Sequence, residues 1–351
     1  MQNPYLFFLA VIFFVSSSLK SQYVNREFQV SSGHPNFNPS INIYGGFYSK
    51  TINSINGGVI VVGHTSSNSQ GENLFIKRVD EDGTILFTKE FNTNGTSDNE
   101  YATDVFEDPS NGDIFVSGIT DNSGTTNFDG ILLSYGSNGA IKDSAVYSGS
   151  SGLNDIITSI KMSPVTGNIY IAISNENSGN SYDYVVAEYQ TNLMLLNQSS
   201  PYDFAASGLP DVPFDMTFDS GGNIILIGAS ANSVADWDYT SVSFSVNTLA
   251  FMHDDRVNVP GFGFDQPAAF CKEASTGDIY ITGRSSSNGV NYDLRTVKIA
   301  GNLSGIVWNV SYDANGSEDA GTSITLDNNG DVIVGGFITN SQGKKEMFWR
   351  K

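Results

Sequence analysis

A glycine recurs along the chain at a nearly constant interval, and each copy precedes a short run rich in β-branched residues. The six copies are Gly58, Gly112, Gly167, Gly222, Gly277 and Gly330, and they are separated by 54, 55, 55, 55 and 53 residues. Self-similarity at this interval is typical of a solenoid, a propeller or another repeat array. The chain therefore contains one supersecondary unit that is repeated six times.

Each unit has the pattern of four short strands. In the second unit, strand-like runs begin at Ala102, Asp113, Gly130 and Ala140, and turn residues separate them. Short runs rich in Val, Ile, Tyr and Phe between Gly, Asn, Asp and Ser predict strands. Four strands per repeat predict the blade of a β-propeller. We expect the repeated glycine to adopt a positive φ in the first turn of each unit.

The two ends of the chain predict how such a propeller closes. The sixth unit ends after the strand-like segment Glu346–Lys351 and lacks a fourth strand, whereas a spare segment, Asn25–Val30, precedes the first unit. A spare strand that completes the last blade would leave no sheet edge exposed. We therefore predict an all-β fold, a six-bladed β-propeller of four-stranded blades whose last blade is closed by an N-terminal strand.

Short motifs accompany the repeat. They are Asp319-Ala320, Asn329-Gly330-Asp331, Gly63-His64-Thr65-Ser66-Ser67, Tyr292-Asp293 with Lys298, and Trp308. At these residues the chain resembles the secreted bacterial β-propeller repeat (SBBP repeat) family, over essentially the whole mature chain. Units three and four depart from the family pattern, because Glu188 and Ser243 replace the Lys and no Trp-bearing strand is recognisable. The resemblance implies a propeller fold and export, and it implies no shared catalytic activity.

The N-terminal segment has the pattern of a secretory signal peptide. An apolar stretch, Leu6–Val15, is followed by the small residues Ser16, Ser18 and Ser21. This stretch is too short to cross a bilayer, which needs about 20 residues, and it fits a signal peptide better than a buried N-terminal strand or helix. We predict a signal peptide over residues 1–21, a single propeller domain over residues 22–351, and a protein secreted to the periplasm, cell surface or medium.

The charge of the chain excludes several kinds of partner. With 37 acidic and 17 basic side chains the net charge is −20, whereas nucleic acids and anionic membranes attract positive surfaces. We expect no nucleic-acid partner and no membrane span. The single cysteine, Cys271, cannot form an internal disulfide, and its apolar neighbours favour a buried structural role over a reactive one. We expect a monomer that its core alone stabilises.

Aspartates recur in the connections between units, and they are the candidate metal ligands. The series is Asp98, Asp155, Asp211, Asp265 and Asp319. Carboxylates in such a ring could hold Ca²⁺, which takes six to eight oxygen ligands. Repeated aspartates also cap turns by accepting hydrogen bonds from backbone amides, and no dedicated Ca²⁺-binding loop motif is present. We expect no cofactor unless this series binds Ca²⁺.

Aromatic residues recur just before a second aspartate series, which comprises Asp129, Asp183, Asp238 and Asp293. The aromatic residues are Phe128, Tyr182, Trp237 and Tyr292. Exposed rings at these positions could stack on sugars, and buried rings would fill the space between blades. Trp237, which lies between Asp236 and Asp238, is the first candidate for contact with a ligand.

No catalytic motif is apparent. His34, His64 and His253 are far apart in the sequence, so neither a zinc site nor a catalytic triad can be assembled from them. Asp254-Asp255 beside His253 is the one cluster of acid and base. The first hypothesis is an exported, non-catalytic propeller that binds an extracellular glycan, peptide or protein on its long loops. The alternative is a propeller hydrolase or lactonase that uses a carboxylate-bound cation in the central channel.

Overall fold

The structure is a computed structural model. It describes residues 49–67, 71–93, 98–121, 127–149, 152–179, 181–204, 208–233, 236–257, 263, 265–286 and 291–351. The predicted signal peptide, the predicted strand Asn25–Val30 and His34 lie outside these residues. All described residues belong to one compact unit. It is all-β, and the described residues contain no α-helix.

The first three sheets follow the predicted repeat, and each has four antiparallel strands in chain order. Sheet 1 contains β1 (Lys50–Asn53), β2 (Val59–Ser67), β3 (Gly71–Val79) and β4 (Ile85–Phe91). Sheet 2 contains β5 (Glu100–Glu107), β6 (Ile114–Asp121), β7 (Phe128–Tyr135) and β8 (Ile141–Tyr147). Sheet 3 contains β9 (Asp155–Met162), β10 (Ile169–Glu176), β11 (Tyr182–Tyr189) and β12 (Leu195–Gln198).

The next two sheets repeat this order, and the last sheet has three strands among the described residues. Sheet 4 contains β13 (Asp211–Phe218), β14 (Ile224–Ser233), β15 (Asp236–Phe244) and β16 (Phe251–Val257). Sheet 5 contains β17 (Gln266–Lys272), β18 (Ile279–Ser285), β19 (Asp293–Ile299) and β20 (Ile306–Tyr312). Sheet 6 contains β21 (Ala320–Leu326), β22 (Val332–Thr339) and β23 (Lys345–Arg350).

The six repeats are thus confirmed as six antiparallel sheets. Units three and four, where the sequence pattern of the outer strand is lost, still have fourth strands, β12 and β16. The recurrent glycine has the predicted positive φ in the first hairpin of every sheet, for example 76° at Gly112 and 79° at Gly277. A side chain at such a φ would clash with its own backbone, so glycine is favoured there.

Apolar side chains between consecutive sheets form the core. Ile60 and Leu74 of sheet 1 pack with Val105 and Ile131 of sheet 2, and similar clusters join sheets 2 and 3, 3 and 4, and 4 and 5. The middle sheets are covered on both faces, so every residue of β10 and β15 is buried. A strand buried on both faces favours a nearly continuous apolar run. β10 begins with such a run, IYIAI, whereas β15, DWDYTSVSF, also buries polar side chains.

A second glycine recurs in the second strand, and the structure explains it. A Cβ built on Gly228 would lie 2.2 Å from the Val212 carbonyl oxygen and 2.5 Å from the Tyr184 hydroxyl. The corresponding Gly118, Gly283 and Gly336 each lie as close to a carbonyl oxygen of the first strand. These glycines sit opposite a β-bulge in the first strand, for example between Pro213 and Asp215. The bulge brings the two backbones too close for any side chain.

We expect Gly228→Ala to destabilise the protein by about 3 kcal/mol, because the added methyl group must displace backbone and the Tyr184 ring. Urea unfolding followed by tryptophan fluorescence measures the change. Gly221→Ala is the matched control, since the only close neighbours there are the side chains of Asp219 and Asn223. Equal stability of the two variants would contradict this explanation.

Candidate functional site

The predicted metal ligands occupy one repeated position at the junction between consecutive sheets. Asp155, Asp211, Asp265 and Asp319 each lie three residues before the bulge of a first strand. In sheet 2 the residue at this position is Glu100, and Asp98 lies two residues earlier. The prediction of Asp98 as a member of the series is therefore corrected to Glu100. All five of these junction carboxylates are buried.

Backbone amides satisfy most of the junction carboxylates. Asp319 accepts the amides of Ala314 at 2.6 Å and Thr339 at 2.8 Å. Asp211 accepts the amide of Phe204 at 2.7 Å, and Asp155 accepts the amide of Gly149 and the side-chain amide of Asn175. Asp155, Asp211 and Asp319 thus fasten the connections that lead into their sheets, which is the turn-capping role of aspartate.

Burial dominates the protonation behaviour of three junction carboxylates. Removal from water raises the pKa of Asp155 to about 6, against the opposing effect of its hydrogen bonds from Gly149 and Asn175. Burial likewise raises the pKa of Asp211 and of Asp265 to about 7. Desolvation disfavours the charged form of a carboxyl group. These three side chains hold a proton over a higher pH range in the folded protein than in the unfolded chain.

Each junction carboxylate belongs to a different junction. Within the described residues, no group of three or more His, Cys, Asp or Glu side chains has a geometry suited to a metal ion.

The predicted aromatic positions are structurally equivalent, and their exposure differs. Tyr182 and Trp237 are each 4% exposed and pack in one cluster with Val212 and Ala231. Rings buried in this way cannot stack on a sugar, so Trp237 is a packing residue. Phe128 and Tyr292 are partly exposed.

Tyr292 lies at the junction of sheets 5 and 6 beneath a cation. The guanidinium of Arg284 lies 4.5 Å from the centre of the Tyr292 ring. Arg284 also donates to Gln266 and to Glu318, at 2.7 Å in each case, and Glu318 pairs with Lys345 at 2.8 Å. The Arg284 guanidinium thus interacts with the Tyr292 ring by a cation–π contact,.

A polar cluster on the first strands of four consecutive sheets was not predicted. It consists of Lys50, Asp104, Ser159, Lys161 and Asp215, and we call it the first-strand cluster. Lys161 Nζ lies 2.5 Å from Asp104 Oδ2 and 3.4 Å from Asp215 Oδ1. Lys50 Nζ lies 3.8 Å from Asp104 and 3.7 Å from Asp215. Two ammonium groups thus balance two carboxylates.

The register of the sheets explains why these side chains meet. Lys50, Asp104, Ser159 and Asp215 pair with Val62, Ser117, Ala172 and Ile227, which are spaced 55 residues apart. The corresponding residues in sheets 5 and 6 are Ala269 and Ser323. This repeated position therefore holds a charged residue in sheets 1, 2 and 4 and a small residue in sheets 3, 5 and 6. Alignment of the repeats by register would have revealed the cluster.

The chemistry of the first-strand cluster is that of an ion-pair network in which the carboxylates are buried and the lysines are partly exposed. Ser159 Oγ lies 3.0 Å from Lys161 Nζ, a distance that would suit a serine nucleophile with a lysine base. However, Ser159 is fully buried. Burial alone would lower the pKa of Lys161, but the carboxylates of Asp104 and Asp215 raise it above its usual value. A lysine held in its charged form cannot accept a proton from serine.

The other candidate groups do not assemble into a site. His64 packs edge-on against Tyr101 at 5.0 Å, and His253 lies opposite Ser243 in sheet 4. Burial raises the pKa of Cys271 to about 11, so its thiol is protonated at neutral pH. The described residues include no helix that could span a membrane.

The comparisons with known proteins give no family. No family model matches the chain, and no curated protein matches it. Among solved structures, it is similar to a protein of unknown function from Bacteroides caccae, with 14% sequence identity and a TM-score of 0.44. The match covers 75% of this chain and 80% of the other.

We expect Lys161→Ala to destabilise the protein by about 3–5 kcal/mol, because Asp104 would remain as a buried charge without its closest partner. The matched control is Lys142→Ala, whose ion pair with Asp113 is half exposed and which should cost no more than about 1 kcal/mol. Chemical unfolding of both variants measures the difference. Similar losses in the two variants would show that the first-strand cluster contributes no more than a surface pair.

The raised pKa values of Asp155, Asp211 and Asp265 predict that stability increases on mild acidification. Their folded pKa values of about 6 to 7 exceed the unfolded value of about 3.9. The folded state therefore binds more protons between pH 4 and 7, and stability falls as pH rises through this range. The thermal midpoint should be several degrees higher at pH 5 than at pH 7.5.

The variant Asp211→Asn tests this origin, because asparagine mimics the protonated form. It should be more stable than the parent protein at pH 7.5 and show a smaller change between the two pH values. Asp143→Asn, at an exposed position, removes one charge without this effect. A thermal midpoint that is independent of pH would refute the prediction.

Proposed function

We propose that the protein is an exported, non-catalytic β-propeller of six blades that presents the connections between its sheets to an extracellular glycan, peptide or protein. The observation that carries this proposal is the use of the repeated residues. The recurrent glycines, junction carboxylates and buried aromatic residues all serve turns, capping and packing. A molecule built this way is a rigid support for loops, and loops on a rigid support are common binding surfaces.

We also propose that Asn25–Val30 closes the propeller as the fourth strand of sheet 6. β23 pairs with β22 along one edge, and its other edge pairs with no described strand. Met347 is 81% exposed and Trp349 72% exposed on this strand. An open edge with large apolar side chains favours pairing with a further strand. The alternation of the strand-like segment NREFQV suits this edge.

Export fits the same proposal. The apolar stretch Leu6–Val15 and the small residues after it have the features of a signal peptide over residues 1–21,. The motifs at Tyr292-Asp293, Asn329-Gly330-Asp331 and Trp308 support membership of the secreted bacterial β-propeller repeat family.

The alternative, a propeller hydrolase or lactonase, has one observation in its favour, namely the asymmetry of the first-strand cluster. An active site in a symmetric fold requires different polar groups at one repeated position. The non-catalytic function is preferred because Ser159 is inaccessible and Lys161 remains charged. Asp104 and Asp215 are also both ion-paired with Lys161.

The binding surface that we propose lies at the ends of the strands where one sheet leads to the next. At the opposite ends of the strands, hairpins of similar length join the first strand of each sheet to the second, for example β1 to β2 and β5 to β6. The connections between sheets vary in length, from seven residues (148–154 and 313–319) to twelve (199–210). Tyr292, with Arg284 against its ring, and Phe128 are two of the partly exposed aromatic residues at these ends. We propose that they contact the ligand.

A screen of immobilised glycans and peptides with the full-length protein tests this function. We expect a ligand whose binding weakens at least about tenfold in Tyr292→Ala, as expected for loss of an interfacial aromatic anchor. The thermal midpoint of this variant should change little. Trp237→Ala should instead lower stability, because its ring is buried. Binding that is unaffected by Tyr292→Ala and Phe128→Ala, or hydrolysis of a screened compound, would contradict the proposal.

A further inference from the structure

The junction between sheets 1 and 2 differs from the other junctions in its charge. Four acidic residues belong to it: Glu72, Asp98, Glu100 and Asp121. The position of Glu72 is aromatic in the next four sheets, where Phe128, Tyr182, Trp237 and Tyr292 stand. The position of Asp98 is occupied elsewhere by Leu153, Leu209, Gly263 and Ser317. At these two repeated positions, only this junction has carboxylates among the described residues.

Asp98 and Glu100 lie on either side of one hydroxyl group. Thr93 Oγ1 lies 2.6 Å from Glu100 Oε1 and 3.4 Å from Asp98 Oδ2. A threonine hydroxyl has a single proton to donate, so it satisfies one carboxylate and leaves the other without a donor at this point. The Thr93 amide donates only to Glu100, at 3.1 Å.

Two carboxylate oxygens of this pair have no hydrogen-bond partner among the described residues. They are Asp98 Oδ1 and Glu100 Oε2. The two side chains are 1% and 0% exposed, so water does not solvate them freely. Asp319, at the equivalent position, has a backbone amide on each oxygen. A buried polar atom without a partner costs free energy and calls for a bound species.

Three carboxylates of this junction have no cationic partner among the described residues. None of Asp98, Glu100 and Asp121 forms an ion pair there, whereas Asp104, on the same strand as Glu100, is paired with two lysines. Asp121 is held by the main-chain and side-chain amides of Asn99, which keeps its charge in place. Two adjacent buried carboxylates repel each other unless a proton or a cation lies between them.

We propose that this junction binds a Ca²⁺ ion through Asp98 Oδ1 and Glu100 Oε2. Both ligands are hard carboxylate oxygens, and Ca²⁺ accepts irregular geometry and completes its coordination with carbonyl oxygens and water. Mg²⁺ fits less well, because it demands near-ideal octahedral geometry. With two protein carboxylates, the affinity should resemble that of extracellular modules, with a Kd of about 10⁻⁴ to 10⁻³ M.

Gly71 allows the loop that carries these ligands to approach sheet 1. A Cβ built on Gly71 would lie 2.5 Å from the Asp98 carbonyl oxygen and 2.9 Å from Asn99 Oδ1. Its φ of 78° is also one that glycine favours,. The same Asn99 oxygen accepts the amide of Glu72 at 3.0 Å. The junction is thus fixed against β3, which preorganises Asp98 and Glu100.

Calorimetric titration of the full-length, chelator-treated protein with CaCl₂ tests the proposal, with thermal unfolding in Ca²⁺ or EGTA as the second measurement. We expect one Ca²⁺ per chain and a higher thermal midpoint in Ca²⁺, because a ligand of the folded state stabilises it. Asp98→Asn and Glu100→Gln should each weaken binding at least about tenfold, since each removes one charged ligand. Both variants should remain folded in EGTA, because each relieves the repulsion between two carboxylates.

Asp155→Asn is the matched control, because its carboxylate lies at the equivalent position of the next junction and is satisfied by amides. It should retain Ca²⁺ binding. Absence of Ca²⁺ binding by the parent protein at millimolar concentration would overturn the proposal and show that a proton is shared instead. Undiminished binding by Asp98→Asn and Glu100→Gln would also overturn it, by placing the ion elsewhere. Neither result would bear on glycan or peptide binding at Tyr292.

Discussion

The packing of each first strand against the preceding sheet is the contact on which the rest of the structure depends. It buries Val105 and Ile157 against the sheets before them, and apolar burial is the dominant favourable term in folding. The middle sheets gain this contact on both faces, so β10 and β15 are completely buried. Sheet 6 contributes fewer buried residues, and Met347 and Trp349 are exposed on it. Its last strand therefore has the most to gain from a further strand.

Repetition separates structural residues from candidate functional ones. A residue that recurs in each sheet meets a requirement of each sheet, as do Gly228 against Val212 and Asp319 at its two amides. A residue that occurs in one sheet but not at the equivalent positions of the others does not meet a requirement shared by all sheets. The two departures with the greatest charge are the first-strand cluster, which is neutralised internally, and the Asp98–Glu100 pair, which is not. The second is therefore where an ion is needed.

The sequence predicted the sheets well because their signals are local. Turn glycines, β-branched runs and the 55-residue interval identified the strands of each unit, including those of sheet 6. Leu193, Leu249 and Leu303 were not predicted to adopt a positive φ, at 59°, 54° and 54°. Their side chains are buried, and this burial offsets a backbone cost of about 1–2 kcal/mol. Such a balance depends on packing between sheets, which a single sequence does not display.

The candidate site was predicted less well, for the same reason. Asp98 was assigned to the repeated series because it lies in the right connection, but only the bulge at Thr103 shows that Glu100 is the equivalent residue. Trp237 was favoured as a ligand contact by its chemistry, yet its neighbours in sheets 3 and 4 bury it. Lys50, Asp104 and Lys161 are far apart in sequence, and register alone brings them together.

Calorimetric unfolding of the full chain, compared with a chain that lacks residues 22–33, tests the proposal that the six sheets close into one scaffold with the help of an N-terminal strand. A closed array has no free end from which to unfold, so the full chain should show a single transition whose calorimetric and van't Hoff enthalpies agree. Without the N-terminal strand, sheet 6 should unfold in a separate transition at lower temperature, as in an open repeat array. Several transitions in the full chain, or identical unfolding of the two chains, would contradict the account.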